Sequence, residues 1–135
     1  METAEAEAAA VELVPDEVML LRFGAVTRNT HRIHYDPGFA RSEGLAGPVV
    51  MAQLHGCLLH RAAAAHAGPT GQVREVSWQN RAPAHPGDRL TVTASVRGVD
   101  PASGEITLDL VEHRGDGVVC CQGHAVVVRR EQSPD

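Results

Sequence analysis

The chain has 135 residues, 43% of them apolar and 21% charged, which suits one domain around one core. A formal net charge of -5, with no basic run and no aromatic ladder, excludes a nucleic-acid partner, since that binding begins with clustered Lys and Arg. Cys57, Cys120 and Cys121 make no disulfide framework and no zinc spacing, and neither a signal peptide nor a bilayer-length apolar run is present, so the chain reads as a reduced cytoplasmic protein with no membrane partner.

Residues 1–9 and 131–135 are polar or small and read as disordered tails around a domain at 10–130. Residues 11–14 suit a short strand ended by Pro15. Asp16 then caps a helix through EVMLLRFGAVT, with Val18, Leu21, Phe23 and Val26 on one face. A polar, turn-rich stretch follows. The next segment, VVMAQLHGCLLHRAAAAHA, is apolar or small at most positions, the mark of a helix buried on several sides, and Gly68-Pro69 ends it.

The second half alternates as strands do. Residues 72–82 form the first strand, and PAHPGD turns into a second in which Leu90, Val92, Ala94 and Val96 alternate with Thr and Ser. Ile106, Leu108 and Leu110 mark a third, an Asp-Gly turn follows, and VVCCQGHAVVVRR closes the sheet. The expected fold class is α+β: an antiparallel sheet of four or five strands wrapped around one long central helix.

The stretch RFGAVTRNTHRIHYDPGFARSEGLAGPVVMAQLHGCLL resembles the signature of MaoC-like proteins and (R)-specific enoyl-CoA hydratases, with the mesaconyl-type branch most similar through its N-x-H-R-I-H-Y-D run. The family marks fall on Thr27, Asn29, His34, residues 36–44 and residues 49–52. VSWQNRAPAHPGDRLTVTASV is similar to the family's strand, Pro-Gly-Asp turn and strand, so the resemblance covers residues 11–129. It implies a single hot-dog domain. It also implies an enzyme that interconverts trans-2-enoyl and 3-hydroxyacyl thioesters carried on CoA or an acyl carrier protein, with no cofactor and no metal.

By that resemblance His34 grips water and moves its proton. Asn29 stands where many members have aspartate. An amide orients water through a hydrogen bond but exchanges no proton, so a single-base mechanism is expected. Asn29 also suits a left-handed helix C-cap, and the two roles are compatible. Arg32, beside Tyr35, either meets a substrate carboxylate or pairs with Asp36 to brace the loop.

Val50, Met51 and Ala52 enter the central helix where the family commonly has His-Gly. The Ala52 amide, at a helix N-terminus, suits an enolate oxygen. His55, His60 and His66 lie on this helix with no acidic partner in sequence reach, and read as interface or tunnel residues rather than metal ligands. Cys57 and Cys120 read as small core hydrophobes.

Two rival functions remain. One is a degenerate, non-catalytic acyl-thioester-binding subunit of a heteromeric hydratase. The other is a hot-dog thioesterase, which usually needs a carboxylate near the helix. A homodimer or larger assembly is expected, or a heteromer with another hot-dog chain, because an open sheet edge calls for cover.

Overall fold

The computed structural model describes residues 11–130. The tails expected at 1–9 and 131–135 lie outside the described residues. The elements in order are β1 (Val11–Leu13), α1 (Glu17–Thr27), a 3-10 turn (Arg32–His34), α2 (Pro37–Ser42), α3 (Ala52–Ala67), β2 (Gln72–Asn80), β3 (Leu90–Val99), β4 (Glu105–His113) and β5 (Val119–Val128). All five strands join one antiparallel sheet in the order β1-β3-β4-β5-β2.

Helix α3 contacts every strand of this sheet. Leu58, Leu59, Ala62 and Ala63 are almost wholly buried. They meet the inward rows of β3 (Leu90, Val92, Ala94) and β4 (Ile106, Leu108, Leu110). The period of two in the strands and the near-continuous apolar surface of the helix thus solve each other's burial problem. This is the sheet-around-helix arrangement expected from the sequence.

Asp16 caps α1 as expected, its carboxylate accepting from the Met19 N–H at 2.7 Å. The apolar face of α1 differs from the expectation. Leu20 and Gly24 are the buried pair, whereas Val18, Leu21 and Val26 are exposed and Phe23 is half-buried. The close approach is at Gly24, where an added Cβ would lie 2.8 Å from the Asn29 carbonyl oxygen and 3.3 Å from Met51 Cε, so this side of the helix faces inward.

Arg28, not Asn29, adopts the left-handed conformation (φ 57°) after α1. The Asn29 N–H reaches the Gly24 carbonyl and the Arg28 N–H reaches that of Ala25, the paired bonds of a Schellman ending. Strand β2 stops at Asn80, two residues early. The Arg81 and Ala82 N–H groups there both turn to the Cys120 carbonyl, beside a register shift between β4 and β5.

Cys57 is exposed, because it lies on the side of α3 that the sheet leaves open, while Cys120 and Cys121 are both buried. The Trp78 ring lies across Gly56 of α3, where an added Cβ would meet it at 2.5 Å. The Trp78 backbone in turn sits against Gly123 of β5. An added Cβ there would lie 2.1 Å from the Ser77 carbonyl oxygen, and paired backbone cannot retreat from it.

Gly123→Ala is therefore expected to destabilise the fold by about 1–3 kcal/mol or more through overpacking. Chemical denaturation checks this: an unchanged midpoint would mean that β2 and β5 are less closely paired than described.

Candidate active site

The polar stretch between α1 and α3 folds back over the N-terminus of α3. His31 begins the 3-10 turn by accepting the Ile33 N–H on Nδ1. Asp36 caps α2 by accepting the Phe39 N–H, with Pro37 preset at the first helical position. These caps fix the segment on both sides of His34.

His34 is 8% exposed, and its Nδ1 lies 2.7 Å from the Val49 carbonyl oxygen. A carbonyl only accepts, so Nδ1 carries a proton, and in the neutral ring the lone pair is then on Nε2. Asn29 donates through Nδ2 to the Gln53 Oε1 at 3.3 Å. Its Oδ1 faces the His31 N–H at 3.5 Å, the outer limit of a hydrogen bond.

A cavity of about 500 Å³ opens beside these groups, lined among others by Asn29, His34, Val50, Ala52, Gln53 and His55. Met51 caps α3 without a side-chain hydrogen bond, and the first-turn N–H groups of Ala52 and Gln53 have no acceptor within the helix. The positive end of the helix dipole, the first-turn amides and the His34 imidazole thus meet in one space. A smaller cavity of about 240 Å³ lies behind, lined by Leu20, Asn29, His34, Tyr35 and Met51. Asn29 and His34 border both.

Of the residues picked from sequence, His34, Asn29, Val50 and Ala52 line the larger cavity, while Tyr35 and Met51 line the smaller. Arg32 lines neither. Its guanidinium pairs with Asp36 at 2.8 Å and lies 4.5 Å from the centroid of the Phe39 ring, a brace for the loop. That hydrogen bond, with the Phe39 N–H, holds the Asp36 carboxyl below its usual range.

Sequence reasoning missed Gln53, Asn80, Arg81 and the partner of His55. The sheet supplies the acidic group that the helix histidines lack in sequence: Glu112, fully buried, accepts from Nδ1 of His55. Its signal was present, since Glu112 extends the inward row Ile106, Leu108, Leu110 by one more step of two. His66, at the far end of α3, is bonded to Arg129, and burial and that cation keep it below the usual imidazole range. His60 is exposed.

Another depression, of about 570 Å³, lies on the outer face of the sheet. Its charged groups are already matched, Arg97 with Asp109 and His124 with Ser77, and it carries no free helix terminus. The cavity at α3 is therefore the candidate site.

The family model of hydroxyacyl-thioester dehydratase type 2 matches residues 1–86. The chain belongs to this family. A mesaconyl-C(4)-CoA hydratase of Chloroflexus aurantiacus is 47% identical over 55 residues, 40% of this chain and 20% of that protein. The aligned part is thus about a fifth of the length of that relative.

Among solved structures, an (R)-hydratase from A. caviae superposes with a TM-score of 0.84 at 21% identity, covering 92% of this chain and 94% of the other. A MaoC-like dehydratase from Rhodospirillum rubrum gives 0.77 at 16%, covering 94% and 92%. At these identities the likeness is one of fold, and the fold is the MaoC-like hot-dog. Among the described residues no helix is long and apolar enough to cross a membrane.

Removing the Arg32 guanidinium takes away the largest influence that lowers the Asp36 pKa. Arg32→Ala is expected to move the Asp36 titration upward toward the usual carboxylate value, followed by NMR of its carboxyl carbon. Because the folded value is depressed, the pair stabilises above the unfolded pKa and loses that effect as pH falls through the folded one. An unshifted titration would break the brace assignment.

Proposed function

We propose that this chain interconverts trans-2-enoyl and 3-hydroxyacyl thioesters, adding water across the double bond or removing it. The observation that carries the reading is the His34–Val49 hydrogen bond, which leaves a lone pair on Nε2 at a cavity shared with Asn29 and the free amides of α3. In the hydration direction His34 Nε2 takes a proton from water while Asn29 orients it. The N–H of Ala52 receives the thioester oxygen as it becomes an enolate. The methyl group of Ala52 narrows that approach without removing the amide.

CoA and acyl carrier proteins both present a thioester on a phosphate-bearing arm. The exposed guanidinium of Arg81 at the cavity suits such a phosphate. The relative's mesaconyl substrate supports a short, carboxylated acyl group as one candidate to assay.

The thioesterase reading gains Glu112 as a carboxylate near the helix. That carboxylate is fully buried behind His55, which keeps it from activating water directly. A non-catalytic subunit is the other alternative.

Strand β2 pairs only with β5, so nine residues of edge are left for another chain. The chain is expected to form a dimer or larger assembly through this edge, with itself or with another hot-dog chain. A concentration-independent monomer mass would oppose this.

The protein is expected to hydrate crotonyl-CoA or a carboxylated enoyl-CoA. His34→Ala should fold and lose on the order of 10²–10⁴ in rate. Asn29→Asp should be tolerated, Asn29→Ala should lose substantially more, and Ala52→Gly should keep or raise the rate on bulky acyl groups. Thioester cleavage in place of hydration would favour the thioesterase. Uniform silence of correctly folded wild type and variants would favour the non-catalytic subunit.

A further inference from the structure

A second imidazole borders the same cavity, and the mechanism above leaves it unused. His55 is 4% exposed, lies one turn into α3, and lines the cavity with His34 and Asn29. Its Nδ1 donates to the Glu112 Oε2, while its Nε2 makes no hydrogen bond among the described residues. The two histidines are therefore wired alike. Each has Nδ1 tied to a fixed acceptor and Nε2 left for the cavity. They differ in the acceptor: a neutral carbonyl behind His34, a carboxylate behind His55.

Glu112 is the one charged residue among the buried side chains of the described residues. It occupies an inward position of β4 between Val92 and Cys121, where the rest of the row is apolar. Its Oε1 is buried without any hydrogen-bond partner. Burying a carboxylate this way costs stability unless a cationic partner offsets it, so a structural role alone is an expensive explanation. The adjacent Cys121 is no competing nucleophile. Burial first, and then the neighbouring Glu112, push its thiol well above the usual range.

We propose that His55, held by Glu112, is a second acid–base residue of the cavity and serves the α-carbon of the thioester while His34 serves water. The proposal rests on the hydratase reading and supplies the proton-exchanging group that Asn29, an amide, cannot be. The reaction begins with His34 neutral and His55 protonated. His34 Nε2 removes a proton from water as its oxygen bonds to C3. The C2–C3 π pair shifts toward C1 and the thioester oxygen becomes an enolate at the amides of α3. The enolate collapses, and C2 takes the proton from His55 Nε2. One water has been added. His34 has gained a proton and His55 has lost one, and exchange through cavity water restores both. Dehydration runs the same steps backward.

The test compares wild type, His55→Asn and Glu112→Gln, using crotonyl-CoA for hydration and 3-hydroxybutyryl-CoA deuterated at C2 for dehydration. Asparagine places an N–H near the former Nδ1 and still donates to Glu112, yet transfers no proton. Glutamine at 112 still accepts from His55.

His55→Asn should lower kcat by roughly 10²–10⁴ with KM changed by no more than about threefold. Its primary deuterium isotope effect should exceed that of wild type, since C2–H cleavage then limits the rate. Glu112→Gln should fall between the two. A folded His55→Asn with wild-type kcat, or with a loss of rate and no larger isotope effect, overturns the proposal.

Should either single variant unfold, the double replacement His55→Leu with Glu112→Leu removes both buried polar partners together, and the core tolerates that better. Wild-type turnover by the folded double variant overturns the proposal, and lost turnover supports it.

The donor atoms of His55, Glu112 and Cys121 lie within 4.8 Å of one another. Stoichiometric zinc in the purified protein, lost with Cys121→Ala, would overturn the acid–base role in favour of a metal. If His34→Ala is silent and His55→Asn is unimpaired, only this inference fails. If wild type is silent on every thioester, both readings fail.

Discussion

Helix α3 carries Leu58, Leu59, Ala62 and Ala63 into the concave side of the sheet, and each of the five strands touches it. One face of α3 is buried against the sheet, while Cys57, His60, Arg61, Ala64 and Ala65 lie on its open side. The C-terminal end is closed by Gly68 and by Arg129 reaching back to the His66 carbonyl. The N-terminal end is approached by the loop from Asn29 to Val50, which covers it with a polar turn instead of an apolar one. The loop and the first turn of α3 thus together enclose the cavity that holds His34 and Asn29.

Much of this was legible in the sequence because the periodicities are local. The alternation through Ile106, Leu108 and Leu110, the Asp16 cap and the Gly68 stop each act within a few residues, and all three appear as expected. His34 was found through its motif, and the structure puts it on a cavity with Asn29. What escaped was set by distance along the chain. His55 and Glu112 are 57 residues apart, and only the docking of α3 across the sheet brings them together. The exposed Val18, Leu21 and Val26 escaped for a related reason: an apolar stripe shows that a helix packs, but the neighbour chooses which part of the stripe it covers.

The same cavity holds two solutions to the problem of keeping an imidazole oriented. Val49 fixes His34 by a carbonyl that sits on the lead-in to α3. Glu112 fixes His55 from the sheet, at the next-to-last position of β4 and beside the register shift with β5. One anchor belongs to the loop and the other to the sheet.

Trp78 is the single tryptophan of the chain, and its ring is held between Gly56 of α3 and the edge strand β2 at 36% exposure. The molecule therefore contains one indole fluorophore, placed at the junction of helix and sheet edge. Its emission senses two events without any label. Undocking of α3 would wet the ring and shift the spectrum to the red. A second chain covering the β2 edge would dry its exposed part and shift the spectrum to the blue, so assembly and unfolding carry opposite optical signs.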